Sequence, residues 1–423
     1  MVPFTIISII LFTKMKKSEQ KRNGIVLLAV LFYLLFEILY QLVVFLHWHQ
    51  LTVGSDEQRY FETASFIGLE FSEIFVPRET SNIIYYLINH LYIITSPNLT
   101  IAILLIRISN AFIYVLSYIY IVEIINTSDN FKVKSIVKYD ILFLFFPLSI
   151  YMFSRNVRES YILVLILLNM KYFLFLTRKR TFKNIIFYII SLISLGIFRF
   201  GFLIILFCSS WFPYLLMFKK NQKFLKISIL LIFIFSGIVL INSNYFTNSL
   251  NVLLMLGDNQ DLSAQEILSL DFYGKIKELV IKTIKNFPYF ILEPSLFNTF
   301  IFNFKNDLSI FYSLVDHVII FLGTIVNHFI VYPLALITGI KYFKNKNKSL
   351  FSTIILVTAL IISVIYSAAI GGTDIRTKAL FFSLIIIFIW SEFLHNYQKF
   401  SLISILNANI LVSTLMIYTA FIY

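Results

Sequence analysis

A chain of 423 residues of which 59% are hydrophobic and only 13% charged cannot clothe a soluble domain in polar side chains, so water is excluded as its main solvent. The net charge of +13 is spread in short clusters between apolar runs, with no single basic face, which excludes nucleic acid as a partner. One cysteine, Cys208, lies inside an apolar run, so an intrachain disulfide is excluded as well.

Apolar runs of about 20 residues, long enough to cross a bilayer as helix, recur from Ile25 to Tyr423. Their continuity is unlike the in-and-out alternation of barrel strands, and backbone polar groups in lipid must pair internally. The expectation is an all-α fold: one polytopic transmembrane helical bundle over residues 1–423, with about 10–12 spans and juxtamembrane helices on the outer face. Met1 to Phe12 is apolar but short, and its charges follow it, the reverse of a secretory signal; it reads as an interfacial or partial span.

Basic clusters at Lys14 to Arg22, Lys132 to Lys138, Arg178 to Lys183, Lys219 to Lys226, Lys341 to Lys348 and, weakly, Lys399 are assigned to the cytoplasmic face. Spans then fall near residues 24–47, 99–125, 139–153, 159–177, 184–198, 201–218, 227–242, 310–340, 350–370, 379–395 and 400–422, which keeps every cluster on one side. The 310–340 segment is too long for a simple crossing and implies tilt, a kink at Pro333 or an extension beyond the membrane. Two long loops, residues 48–98 and 243–309, fall on the opposite, outer face. In the second, Ile267, Leu270, Ile276, Leu279, Val280 and Ile284 form a helical stripe within Glu266 to Ile284, expected of a helix lying along the interface.

This map puts Arg59, Arg78, Arg155, Arg158, Arg199 and Arg376 at or near the outer face, six of the ten arginines, against the positive-inside tendency. Anionic phosphate would compensate them, because guanidinium keeps its charge and presents a planar fork of donors. The alternative is pairing with Glu57, Glu62, Glu79, Glu159 and Asp374. Within the membrane, Glu37 and Arg107 lie at comparable depths and are expected to pair. His47-Trp48-His49 ends a span and reads as a belt anchor, whereas His90, His317 and His328 read as core or interface histidines. Asp316 beside His317 could extend the outer site, and the sequon Asn98-Leu99-Thr100 is taken as chance.

Just beyond the first full span comes Gly54-Ser55-Asp56-Glu57-Gln58-Arg59-Tyr60-Phe61-Glu62-Thr63-Ala64. By residue type alone its carboxylates could be a general base, a metal ligand or a helix N-cap with Ser55 or Asp56. The stretch resembles the Asp-Glu-x-x-Tyr-x-x-x-Ala signature that follows the first transmembrane helix in GT-C glycosyltransferases, among them protein mannosyltransferases and lipid A aminoarabinose transferases. Ile106-Arg107-Ile108-Ser109-Asn110 is similar to an Arg-x-x-Asn span of that superfamily. Phe146-Pro147-Leu148, then Arg155-Asn156-Val157-Arg158-Glu159-Ser160, resembles a segment of its bacterial polysaccharide branch. So do Arg199, the run from Pro288 to Pro294, and Gly372-Thr373-Asp374-Ile375-Arg376-Thr377-Lys378. The last departs from the pattern, with Lys378 where a second arginine is usual and Phe or Ser in place of a later proline.

The resemblance implies a polyprenyl-phosphate or polyprenyl-diphosphate sugar donor and a first-loop catalytic carboxylate, which falls on Asp56 with Glu57 as second candidate. Donor phosphate then falls to Arg59, Arg155, Arg158, Arg199, Arg376 and Lys378, supported by Tyr60, Glu159, Asp374, Glu37 and Arg107. No Gly-rich phosphate loop follows a strand, in keeping with a lipid donor. No cofactor is certain: a divalent metal is compatible with the chemistry, but no metal-ligand set is assigned. The implied setting is the outer side of a bacterial cytoplasmic membrane, with membrane lipid and a polysaccharide-assembly complex as partners. Within that setting an O-antigen or capsule repeat-unit polymerase is an alternative, as is a transporter or flippase of lipid-linked oligosaccharide; a non-catalytic scaffold is a third class.

Overall fold

The computed structural model describes residues 2–17, 20–48, 55–66, 83–128, 137–153, 155, 157–179, 181–198, 200–217, 269–292, 314–345, 348–370, 375–396 and 402–422. Among the described residues there is helix and no strand, the expected answer to backbone polarity in lipid. In chain order the helices are α1 Val2–Lys17, α2 Gln20–Trp48, α3 Ser55–Phe66, α4 Ile83–Thr95, α5 Leu99–Ser128, α6 Val137–Leu144, α7 Pro147–Phe153, α8 Glu159–Arg178, α9 Phe182–Phe198 and α10 Phe200–Met217. There follow α11 Phe272–Leu292, α12 Leu314–Val326, a π-helical segment Asn327–Val331, α13 Tyr332–Lys344, α14 Leu350–Ile370, α15 Ile375–Asn396 and α16 Leu402–Ile422.

Five stretches are long and apolar enough to cross a membrane: Asn23–Val44, Leu99–Asn126, Glu159–Arg178, Val318–Lys344 and Leu350–Ser367. Shorter apolar helices cover Val2–Met15, Tyr139–Phe153, Phe182–Phe198, Phe202–Leu215 and Ile403–Met416. Most expected spans therefore have a helix at their place in the chain, and the one at 227–242 lies outside the described residues. The first apolar piece is a helix packed along α5, with Leu11 buried and Phe4 against Phe112 at 5.8 Å between ring centroids.

Side-chain contacts fix the relative directions. Helix α2 is antiparallel to α5, since Gln41 meets Arg107 while Tyr33 meets Tyr114. Helix α8 is parallel to α5: the Val157 carbonyl just before it accepts from Asn110, and Lys171 bonds Glu123 at 2.5 Å. Glu123 also binds Lys14 at 3.0 Å, so α1, α5 and α8 are tied together at the end assigned to the basic face. Helix α9 returns along α8, with Asn169 bonded to Ser191 and Tyr161 stacked on Phe198. Helices α6 and α7 run antiparallel to α15 through Tyr139 with Phe393, Phe146 with Phe382, and Ser149 with Ser383.

Two irregularities correct the sequence expectation. The segment 139–153, expected as one crossing, is two helices, broken around Phe145 and Phe146, because Pro147 has no N–H to offer the carbonyl four residues back. That carbonyl, of Phe143, accepts instead from the Tyr114 hydroxyl, and the Leu144 carbonyl accepts from Tyr33 at 2.9 Å. Two phenols from α5 and α2 thus replace amide donors that hydrocarbon would not supply. In the 310–340 segment, the irregularity precedes Pro333 as a π-helical turn, Asn327–Val331, so the wider turn sits where the proline removes an amide donor.

Candidate functional site

The registers bring polar residues of α2, α3, α4, α5, α8 and α15 to one level. Asn110 of α5, 1% exposed, directs its Nδ2 at the Arg155 carbonyl at 2.8 Å, the Val157 carbonyl at 3.1 Å and the Tyr85 hydroxyl at 3.1 Å. Its two hydrogens are shared among three acceptors, and the result pins the turn between α7 and α8 to α5 and α4. That turn carries Arg155 and Arg158, both buried. The Arg155 guanidinium lies over the Tyr151 ring at 4.5 Å, and Arg158 Nη1 donates to the Phe198 carbonyl at 3.1 Å. Phe198 ends α9 immediately before Arg199, whose own position lies outside the described residues. Glu159, also buried, opens α8, where a carboxylate is favoured by the exposed amides of the first turn.

The first-loop motif reaches the same place through aromatic rings. Tyr60 of α3 packs on Tyr85 at 5.1 Å and on Tyr86 at 5.7 Å, and Tyr85 packs on Tyr161 at 5.7 Å. Helix α3 is held parallel to α4 by this contact and by His90 Nδ1 with the Ala64 carbonyl at 2.9 Å. Arg59 lies over the ring of its neighbour Tyr60 at 5.6 Å. Asp56 and Glu57 are on the first turn of α3, one turn before Tyr60, and their side chains lie outside the described residues. The same holds for Arg78, Glu79 and Asp374.

Arg107 sits one turn from Asn110 on α5 and is fully buried. Its Nη1 donates to Gln41 Oε1, and its guanidinium stacks over Tyr40 at 5.0 Å. The contact with α2 is thus made one turn from Glu37, which is also fully buried, so the two residues expected to pair lie on facing helices at neighbouring levels.

Lys378, 2% exposed, is on the first turns of α15, with its Nζ 5.9 Å from the Phe290 ring of α11. Extending the antiparallel register from the Ser149–Ser383 contact, Lys378 and Arg155 lie five and six residues further on, about 8–9 Å along their axes. The start of α15, which includes Arg376, is therefore level with the Arg155 turn. The side chain of Arg376 lies outside the described residues.

Reasoning from sequence missed Tyr85, Tyr161 and Gln41. The two tyrosines belong to an aromatic abundance that, taken as composition alone, carried no positional signal. Outside this layer, His328 bonds Ser413 Oγ at 2.9 Å and contacts Met416 Sδ at 3.0 Å, as a core histidine would. The side chains of Asp316 and His317 lie outside the described residues. Among the described residues no three His, Cys, Asp or Glu side chains come together in a way that could hold a metal ion. No family model, curated protein or solved structure gives a significant match to this chain.

Proposed function

We propose that the chain is a GT-C-like membrane glycosyltransferase or glycan polymerase, using a polyprenyl-phosphate or polyprenyl-diphosphate sugar donor in cell-surface polysaccharide assembly. The observation that carries the reading is the joining of the first-loop helix, through Tyr60 and Tyr85, to the Asn110-pinned turn bearing Arg155 and Arg158. In this reading the layer faces the outer side of a bacterial cytoplasmic membrane, because the basic clusters belong to the other ends of the same helices.

The chemistry follows from the residue types. Asp56, or Glu57, takes the proton of an acceptor hydroxyl as its oxygen attacks the anomeric carbon. The bond from that carbon to phosphate oxygen breaks, and the electron pair leaves with the lipid phosphate. A single displacement inverts the anomeric centre. Arg59, Arg155, Arg158, Arg199, Arg376 and Lys378 supply positive charge for the departing phosphate, at a depth where low dielectric strengthens each contact. Glu159, Asp374, Glu37 and Arg107 balance and orient that charge.

The test is transfer from a purified polyprenyl-diphosphate sugar by the full-length protein in nanodiscs. Asp56→Ala is expected to abolish transfer while the protein keeps its gel-filtration profile. Full activity in Asp56→Ala and Glu57→Ala together would sink the carboxylate mechanism. Whether the product carries one sugar or a repeat unit separates single transfer from O-antigen or capsule polymerisation. A transporter of lipid-linked oligosaccharide is the second reading, favoured by the broken α6–α7 crossing, since discontinuous helices serve transport sites. Against it, the Phe143 and Leu144 carbonyls at the break are already taken by Tyr114 and Tyr33.

A further inference from the structure

Helix α11 turns one polar row inward and leaves apolar residues exposed along its C-terminal half, while Lys277 and Lys285 lie on the exposed side. Lys275, Lys282 and Asn286 follow one another at seven and four residues, on one side of the cylinder. Lys275 is 6% exposed and Asn286 equally buried, while Ile284 is 68% exposed and Val280 and Ile281 about half exposed. In water such an arrangement would lose on both faces; with hydrocarbon outside, it is the favoured one. The far end of the row is anchored: Asn286 Nδ2 donates to the Ser367 carbonyl at 3.2 Å, and the Tyr332 hydroxyl donates to the Ile291 carbonyl at 2.5 Å. One turn beyond Asn286, Phe290 lies under Lys378.

We infer that α11 is a lipid-facing wall whose inward lysine row conducts the diphosphate headgroup of a polyprenyl lipid to Lys378 and the arginine layer. The inference rests on the donor reading above and adds an entry path to it. Charge argues for the occupant: Lys275 and Lys282 stand on the inward side of a helix that carries one glutamate, and the row ends at a further buried lysine, Lys378. The exposed isoleucines and valine meet the hydrocarbon tail that such a headgroup drags with it.

The experiment uses the full-length protein in nanodiscs and a photoactivatable polyprenyl diphosphate as probe. Changing Lys275→Gln and Lys282→Gln together is expected to reduce photolabelling about tenfold, Lys282→Arg to retain it, and Lys277→Gln on the exposed side to leave it unchanged. Labelling at the wild-type level in the double variant, or equal loss in Lys277→Gln, would overturn the track. A spin label at Ile284→Cys in a Cys208→Ser background should be accessible to oxygen and shielded from a water-soluble nickel reagent; the reverse would overturn the lipid-facing wall. Competition by inorganic diphosphate as effective as by unlabelled lipid would assign the row to a free anion and overturn the lipid. Capture of a phosphatidylglycerol probe as strong as that of polyprenyl diphosphate by the wild type would instead remove the donor reading itself.

Discussion

Asn110 Nδ2 lies 2.8 Å from the Arg155 carbonyl, so a single amide on α5 holds the turn that carries two buried arginines. Removing it strands the Arg155 and Val157 carbonyls where water is scarce. Asn110→Ala should therefore cost about 1–3 kcal/mol of stability. Asn110→Asp, which keeps the shape and loses the donor, should behave like it. Both are checked by chemical unfolding in detergent, and under the proposed function both should lower transfer more than they lower folded protein. Wild-type stability in both variants would mean that the turn is held by other contacts.

The Tyr114 hydroxyl stands in for the amide that Pro147 lacks, which makes a two-residue prediction possible. Tyr114→Phe should cost about 1–3 kcal/mol, because the Phe143 carbonyl loses its donor. Pro147→Ala restores an N–H four residues beyond Phe143. The double variant should then be more stable than the sum of the single effects by at least about 0.5 kcal/mol, read from a thermodynamic cycle. Tyr33→Phe, which removes the donor to the Leu144 carbonyl, should not be rescued by the same alanine.

Most helices were legible because long apolar runs obey lipid physics that needs no partner. The break at Pro147 was hidden: a proline in an apolar run signals a missing donor, but not that Tyr33 and Tyr114, far away in sequence, would supply replacements. The stripe in the second long loop was visible, yet its helix runs Phe272–Leu292, later than the expected 266–284, and Lys275 turns inward while Ile284 is exposed. Periodicity identifies two faces without saying which one meets the protein when the solvent is lipid. For the candidate site, the motifs named Tyr60, Asn110, Arg155 and Arg158. Only the registers of α3 with α4 and of α5 with α8 bring them together, through tyrosines that no motif contains.

Arg107 tests how charge is balanced in this layer. It is fully buried, as is Glu37 one turn from its hydrogen-bond acceptor Gln41. Arg107→Met leaves a buried carboxylate with less positive charge nearby, and should cost about 3–5 kcal/mol. Adding Glu37→Gln should recover part of that loss, whereas adding Gln41→Leu should not. Equal behaviour of the two second substitutions in unfolding measurements would show that Arg107 is tied to α2 by the amide alone. Arg107→Lys should also destabilise, because an ammonium lacks the planar fork that both reaches Gln41 and stacks on Tyr40.

Among the described glycines, Gly323 makes the tightest demand on side-chain size. A Cβ built there would lie 2.6 Å from Leu148 Cγ, 2.7 Å from its Cδ2 and 3.2 Å from its backbone nitrogen. Leu148 directly follows Pro147, so the backbone it would have to move is among the stiffest at the break between α6 and α7. Gly323→Ala should therefore destabilise by about 1–3 kcal/mol through overpacking. Gly339 in α13 is the matched control, since nothing lies within 4 Å of a Cβ there. Gly339→Ala should stabilise by about 0.5–1 kcal/mol, the helical preference of alanine over glycine without a steric opponent. Shortening Leu148 to Ala costs stability alone but removes the two closest atoms. The pair Gly323→Ala with Leu148→Ala should then be less unstable than additivity requires, and a fully additive pair would mean that the Leu148 backbone nitrogen, not its side chain, sets the limit.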